Sequence, residues 1–227
     1  MNESADLSGS VDLAQTPVFE FHRSSSTIAG CCPKDFNGTR IAFDLDKRLD
    51  KIIRQLHDVT VNMNLLQLKT ADFHPLTLRE DITSLQYALL SFAFQADNGL
   101  QDLINETVRL THLMYLVTLL DEAIPGTSIC DGLGRKLSSC LGKLSAREVF
   151  TDEFLLWTAF CAASMVMSKQ NLADFHKLAI ESKKGSQISS WDEAEVALRS
   201  FFWLDKIHGK TFRRVWRVLE ALESDNL

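Results

Sequence analysis

The sequence predicts an all-α protein, a single-domain bundle of seven to nine helices with a flexible N-terminal tail. Through most of the chain, apolar residues recur at steps of three and four, which is the period of an α-helix. Only four prolines and two tyrosines occur in 227 residues, and so few turn breakers and β-prone aromatics disfavour a sandwich or a barrel. Residues 1–40 lack the helical period and are rich in Ser, Gly and Asp, which is typical of a tail or linker. Residues 41–227 are therefore expected to form the helical domain.

The first predicted helix, over residues 41–69, carries the clearest pattern. Its apolar residues follow alternating steps of four and three, which places them on one stripe of the helix: Leu45, Leu49, Ile52, Leu56, Val59, Met63 and Leu66. A dimeric coiled coil would need charged residues beside this seam, whereas most flanking residues, such as Gln55, Thr60 and Asn62, are uncharged. The pattern therefore favours packing within one bundle over a coiled-coil dimer, which is the alternative.

The next two helices are bounded by turn residues. Thr77 and Glu80 have the spacing of a capping box, in which the two side chains satisfy free backbone amides of the first turn. The helix that follows should bury one face, formed by Ile82, Leu85, Leu89 and Phe92. Asn98-Gly99 separates it from a long helix over residues 100–123, which Pro125-Gly126 ends.

The middle of the chain predicts a central helix. Residues 133–144 have the pattern of a short amphipathic helix, and the spacing of Ser145 and Glu148 suggests a cap for the next one. From residue 154 to residue 167 only Thr158 and Ser164 are polar. A segment this short cannot cross a bilayer, so we expect a helix that is buried on all sides.

Three further helices are predicted toward the C-terminus. A small helix ends at residues 183–185, where two lysines suit the negative end of the helix dipole. Ser190 and Glu193 form another capping box, and the core face of the helix that it opens consists of Ala194, Leu198, Phe201 and Phe202. Gly209 then interrupts the chain before a final helix with the apolar residues Phe212, Val215, Trp216, Leu219 and Leu222.

Charge and cysteine content exclude several classes of protein. The chain has 24 Lys and Arg against 30 Asp and Glu, a net charge of −6, which argues against a generic binder of DNA or polyphosphate. None of the five cysteines forms a CxxC pair, so no zinc-finger spacing exists, and we expect reduced thiols. The first 30 residues contain no apolar signal segment, and no apolar run reaches about 18 residues, so no membrane contact is predicted.

The sequence predicts no catalytic, cofactor-binding or metal site, and therefore no cofactor. Asp205 and His208 share one helix face, but two ligands do not make a metal site. Asp121-Glu122 resembles an acidic metal motif of isoprenoid enzymes, yet a second acidic cluster is missing. Cys161 lies in the most apolar predicted helix, where burial makes a thiol inert, so a catalytic pair with a histidine is not favoured.

One charged surface stands out near the C-terminus. At helical spacing, five cations form a positive strip, called here the basic strip: Lys206, Lys210, Arg213, Arg214 and Arg217. The simplest interpretation is a solvated helix face, and the alternatives are contact with nucleic acid or with an acidic partner. Phe212 and Trp216 belong to the apolar face, which weakens stacking on single-stranded nucleic acid as an interpretation.

Two segments carry a resemblance to a known family. Residues 153–163 read "EFLLWTAFCAA", and residues 191–206 read "WDEAEVALRSFFWLDK". Together with Trp216, these segments resemble the C-terminal half of the fungal-specific transcription factor domain, the helical regulatory region of fungal zinc-cluster transcription factors. The resemblance covers roughly residues 75–220, and it concerns core residues rather than a catalytic signature. It implies that four tryptophans are packing anchors: Trp157, Trp191, Trp203 and Trp216.

The resemblance implies a regulatory and interaction domain of a fungal transcription regulator, without enzyme activity. The six-cysteine zinc cluster that recognises DNA in this family is missing from the sequence, so we expect no direct specific DNA binding. The implied partners are proteins of the transcription machinery or a small-molecule effector, and a homodimer is possible. The implied location is the nucleus, with the cytoplasm as the alternative. Two other hypotheses stay open, an α-helical enzyme of secondary metabolism and a helical adaptor protein.

Overall fold

A computed structural model describes residues 44–67, 75–95, 98–119 and 125–225. These residues contain nine α-helices and no β-strand, which confirms the all-α prediction. The N-terminal tail predicted for residues 1–40 lies outside them. The helices are α1 Lys47–Gln67, α2 Pro75–Leu90, α3 Leu100–Thr118, α4 Ser128–Lys143, α5 Ala146–Val149, α6 Asp152–Met165, α7 Lys169–Gly185, α8 Trp191–Arg199 and α9 Lys210–Ser224, and a π-helical turn, Asp205–Gly209, precedes α9.

Helix α6 is the centre of the bundle, as its apolar sequence predicts. It packs against α3, α7, α8 and α9, and nearly all of its residues are buried. A helix buried on all sides has no polar face to position it. Its place is set instead by its neighbours and by Thr151, whose side chain accepts a hydrogen bond from the backbone N–H of Phe154 and caps the first turn.

The first three helices pack against one another, and α3 joins them to α6. The stripe of α1 is buried at Leu49, Ile52, Leu56 and Val59, and its ends, Leu45, Met63 and Leu66, are partly buried against the same core. The amide of Asn64 on α1 donates to the backbone oxygen of Trp203 at 2.9 Å. The seven apolar residues of this stripe thus pack against the interior of the same chain, as predicted for a single bundle.

A buried ion pair fixes the connection between α2 and α3. The guanidinium of Arg109 donates to both carboxylate oxygens of Glu106 at 2.7 Å and to the backbone oxygen of Leu89 at 2.6 Å. Glu106 also accepts the backbone N–H of Phe94 at 3.0 Å. Because a buried charge is tolerated only when it is paired and hydrogen-bonded, this network holds the end of α2 and the loop after it against α3.

Aromatic rings fill the space between α3, α6 and the loop that follows α8. Trp157 is fully buried, and its indole N–H donates to the backbone oxygen of Phe202 at 3.2 Å. Tyr115 lies beside Trp157, and its hydroxyl is 3.0 Å from Thr60 Oγ1. All four tryptophans are buried, which confirms that they are packing anchors: Trp157, Trp191, Trp203 and Trp216.

The structure corrects three predicted helix ends. Helix α2 ends at Leu90, so Phe92 packs on the core from the loop after it rather than from the helix. Helix α3 ends at Thr118, not near residue 123. The hydroxyl of Thr118 donates to the backbone oxygen of Tyr115 at 2.6 Å, and the N–H of Leu119 bonds to Leu116, three residues back, which tightens and closes the last turn. Helix α8 ends at Arg199, so Phe201 and Phe202 are buried in a loop rather than on that helix.

The three predicted caps have different outcomes. The capping box of Ser190 and Glu193 is confirmed, with both reciprocal hydrogen bonds present. Ser145 does precede α5, but its side chain makes no capping bond, and α5 is a single turn. The cap at Thr77 was wrong, because α2 already begins at Pro75, a residue that is favoured in the first turn of a helix.

Candidate functional site

The basic strip lies on the exposed side of the π-turn and α9. All five of its side chains are exposed to solvent, while Phe212, Val215, Trp216 and Leu219 occupy the opposite, buried face. The amphipathic repeat of α9 thus places the cations outward because the apolar residues are needed inside. One cation also has a structural contact, since the guanidinium carbon of Arg213 is 5.8 Å from the ring centre of Trp191.

The cations of the basic strip have no acidic partner among the described residues, whereas several other cations of those residues are paired. Ion pairs elsewhere join Arg54 to Asp50 at 3.0 Å and Arg199 to Glu195 at 2.7 Å, and Lys183 pairs with Glu223. Within the part of the chain that the structure describes, no carboxylate pairs with any member of the basic strip. The strip is therefore a concentrated positive surface on a protein whose net charge is −6.

Helix α2 exposes a second surface, which the sequence analysis missed. Tyr87 is 71% exposed and Leu90 is 58% exposed. They lie opposite the buried residues Leu78, Ile82, Leu85 and Leu89. An open groove of about 570 Å³ on this outer face is lined by Leu76, Arg79, Glu80, Thr83, Ser84 and Tyr87. We call this surface the outer α2 face.

A signal for the outer α2 face exists in the sequence. Residues 76, 83, 87 and 90 share a face at helical spacing, opposite the stripe that begins at Leu78. The inward stripe by itself accounts for a surface helix, because an amphipathic surface helix normally needs only one apolar face.

A smaller groove lies between α4, the start of α5 and α7. Its volume is about 380 Å³, and its floor is apolar at Leu141, Leu144, Phe175 and Leu178. Charged side chains of both signs stand at its edge, among them Arg147, Lys177, Asp174 and Glu181. A mixed edge of this kind selects neither an anionic nor a cationic ligand.

The structure separates Asp205 from His208, so the two do not form a ligand pair. The carboxylate of Asp205 is exposed and accepts the indole N–H of Trp203 at 2.8 Å, and it pairs with Arg199. His208 is turned inward, and burial lowers its pKa to about 3. In the described ranges, no three His, Cys, Asp or Glu side chains come together in a way that could hold a metal ion.

The other candidates for chemistry also serve the fold or lie outside the described residues. Burial raises the pKa of Cys161 well above its usual value, which keeps the thiol protonated and unreactive. His112 donates from Nδ1 to the backbone oxygen of Val108 at 2.7 Å, and burial lowers its pKa to about 4. Asp121 and Glu122 lie outside the described residues.

A comparison with models of protein families identifies the family of this chain. The model of the family described as fungal specific transcription factor domain matches residues 18–223. The chain belongs to this family. Membership in the fungal specific transcription factor domain family confirms the resemblance that the two tryptophan-containing segments suggest, and it identifies the chain as a region of a fungal transcription regulator.

Two further comparisons were made for this fungal transcription factor domain, and neither found a match. No curated protein and no solved structure matches it significantly. Its 227 residues contain five cysteines, one fewer than a six-cysteine zinc cluster requires. None of its described helices combines the length and the apolar composition needed to span a membrane.

Proposed function

We propose that this region regulates transcription in the nucleus by binding protein partners, and that it performs no catalysis of its own. The observation that carries the proposal is the family match over residues 18–223. The partners that we propose are proteins of the transcription machinery, and a small-molecule effector is the alternative ligand. Specific DNA recognition is not part of the proposal, because the 227 residues contain five cysteines and the zinc cluster that recognises DNA in this family needs six.

The buried polar groups support a role without catalysis. Arg109 donates hydrogen bonds to a carboxylate and to a backbone oxygen. His112 donates to a backbone oxygen, and His208 accepts a hydrogen bond from a backbone N–H. A general acid or base must be able to exchange a proton near the operating pH. Burial instead keeps both histidines neutral, with pKa values of about 4 and about 3.

The outer α2 face supports protein binding. Tyr87 and Leu90 are more than half exposed, and clustered apolar side chains on a surface favour burial by a partner. A tyrosine adds a rigid aromatic group, which is common at the energetic centre of protein interfaces. An amphipathic segment of another protein would remove this area from water.

Tethering to a promoter tests the proposal. The full chain is fused to an unrelated DNA-binding module and expressed in a fungal cell with a reporter gene that carries the module's site. We expect transcription of the reporter to change relative to the module alone. The fusion with Trp157→Ala, which destabilises the core, should have a smaller effect. Unchanged transcription with a folded, nuclear fusion would contradict a regulatory role.

A further inference from the structure

The same chain contains an acidic segment, whose charge is opposite to that of the basic strip. Residues 1–22 contain four acids and no Lys or Arg: Glu3, Asp6, Asp12 and Glu20. They also contain the short acidic-aromatic stretch Val18-Phe19-Glu20-Phe21. We propose that residues 1–22 dock on the basic strip of the same molecule, so that four carboxylates face five cations and the strip is covered from within the chain.

The dimensions of the basic strip suit a peptide segment. Its cations are at positions i, i+4, i+7, i+8 and i+11, which corresponds to about 16 Å along a helix. Glu220 follows on the exposed side and limits the strip at its C-terminal end. A short surface of this kind can hold a few spaced carboxylates, and each such pair is weak by itself because it is exposed to solvent.

One edge of the basic strip is apolar, which favours a peptide over a phosphate backbone. Val218 follows Arg214 by four residues, which makes them neighbours on the surface of α9, and its side chain is 40% exposed. Ala221 has the same relation to Arg217 and is also exposed. Aromatic side chains of an acidic segment gain from such an edge, whereas phosphates interact only with the charges.

The connecting segment is long enough to join the two sites. The described chain starts at Asp44, whose backbone oxygen accepts the amide of Gln101 at 2.7 Å, at the first turn of α3. The π-turn that begins the basic strip contacts the other end of α3, where His208 is 3.0 Å from Thr118. The 17 residues from Gln101 to Thr118 correspond to about 26 Å, while residues 23–43 reach at most about 76 Å.

The covalent link between residues 1–22 and the rest of the chain raises the occupancy of a weak contact. Residues that are linked covalently to their binding site have an effective concentration in the millimolar range. Four weak ion pairs and one aromatic contact are then enough for substantial occupancy. Because surface ion pairs are screened by salt, the contact must weaken as ionic strength rises.

Zero-length crosslinking of the full chain tests this contact. A carbodiimide joins a lysine amine to a carboxylate only when the two touch, and mass spectrometry of the digested protein locates the new amide. We expect Lys206 and Lys210 to be joined to acids among residues 1–22. An equal mixture of ¹⁴N- and ¹⁵N-labelled protein identifies the contact as intramolecular when the joined peptides carry a single label.

Variants that remove positive charge test whether the crosslinks depend on the basic strip. The triple variant Arg213→Gln, Arg214→Gln, Arg217→Gln keeps both reactive lysines, and its crosslink yield should fall about fivefold, as should the wild-type yield in high salt. The matched control Arg135→Gln changes an exposed arginine on α4 and should leave the yield unchanged. Mixed-label crosslinks would assign the strip to a second copy. No crosslink to residues 1–22, or a yield insensitive to both the triple variant and salt, would overturn the proposal.

Discussion

The imidazole of His208 donates from Nε2 to the hydroxyl of Thr118, with 3.0 Å between Nε2 and Oγ1. The tautomer follows from the other ring nitrogen, because Nδ1 accepts the backbone N–H of Leu204 at 2.8 Å and must therefore carry no proton. This arrangement joins the end of α3 to the π-turn before α9. It is satisfied only by the neutral ring, and Tyr115, Trp203 and Phe212 pack around it.

The first prediction concerns the pH dependence of stability. His208 has an ordinary pKa of 6.5 when unfolded and a pKa of about 3 when folded. Between these values the unfolded state binds the proton and the folded state does not. The contribution of His208 to the free energy of unfolding is therefore complete above about pH 6.5. It is lost as the pH falls below that value, by about 1.4 kcal/mol per pH unit.

The variant His208→Asn isolates this contribution. Asparagine retains an acceptor for Leu204 but does not titrate, so the free energy of unfolding should be lower at pH 7 and should fall less steeply between pH 6.5 and pH 4. Urea unfolding of both proteins at a series of pH values measures the two slopes. Parallel slopes would show that His208 is not held neutral by burial.

The second prediction concerns Trp157 at the centre of the core. Replacement by alanine removes a fully buried indole and leaves a cavity between α3, α6 and the loop after α8. The free energy of unfolding should fall by about 3–5 kcal/mol. Tyr87→Ala removes an aromatic side chain that is 71% exposed, and it should change stability by less than about 0.5 kcal/mol. Equal denaturation midpoints for the two variants would refute the position of Trp157.

The third prediction concerns two glycines of α4. A Cβ atom at Gly134 would lie 2.5 Å from Cγ1 of Val166, a buried side chain with little rotamer freedom. Gly134→Ala should therefore destabilise the protein, by about 1–3 kcal/mol. At Gly142 a Cβ atom would meet nothing within 4 Å, so Gly142→Ala should stabilise α4 by up to about 1 kcal/mol. Thermal unfolding should thus shift in opposite directions, and shifts of the same sign would contradict this packing of α4.

Local patterns explain most of what the sequence predicts correctly. The stripe of α1 and the central position of α6 follow from the spacing and density of apolar residues. The capping box at Ser190 and Glu193 needs only side chains three residues apart. The basic strip is likewise a local pattern, and its exposure follows from the apolar residues on the other face of α9.

Contacts between distant residues account for what the sequence does not predict. Thr118 and His208 are 90 residues apart, so the bond between them, and the inward orientation of His208, depend on the complete fold. The burial of Phe201 and Phe202 in a loop has the same origin, since their apolar character fits a helix face and a buried loop equally well. The outer α2 face was missed for a different reason, because the inward stripe alone accounts for the helix.

The most direct measurement of the proposed function uses the outer α2 face in the tethered reporter assay. The double variant Tyr87→Ser, Leu90→Ser changes side chains that are 71% and 58% exposed, and the matched control Val196→Ser changes one that is 72% exposed on α8. All proteins should unfold at the same temperature. Partner binding through α2 predicts that the double variant loses the effect on transcription while the control keeps it. An unchanged effect in the double variant, with the fold intact, would contradict the account.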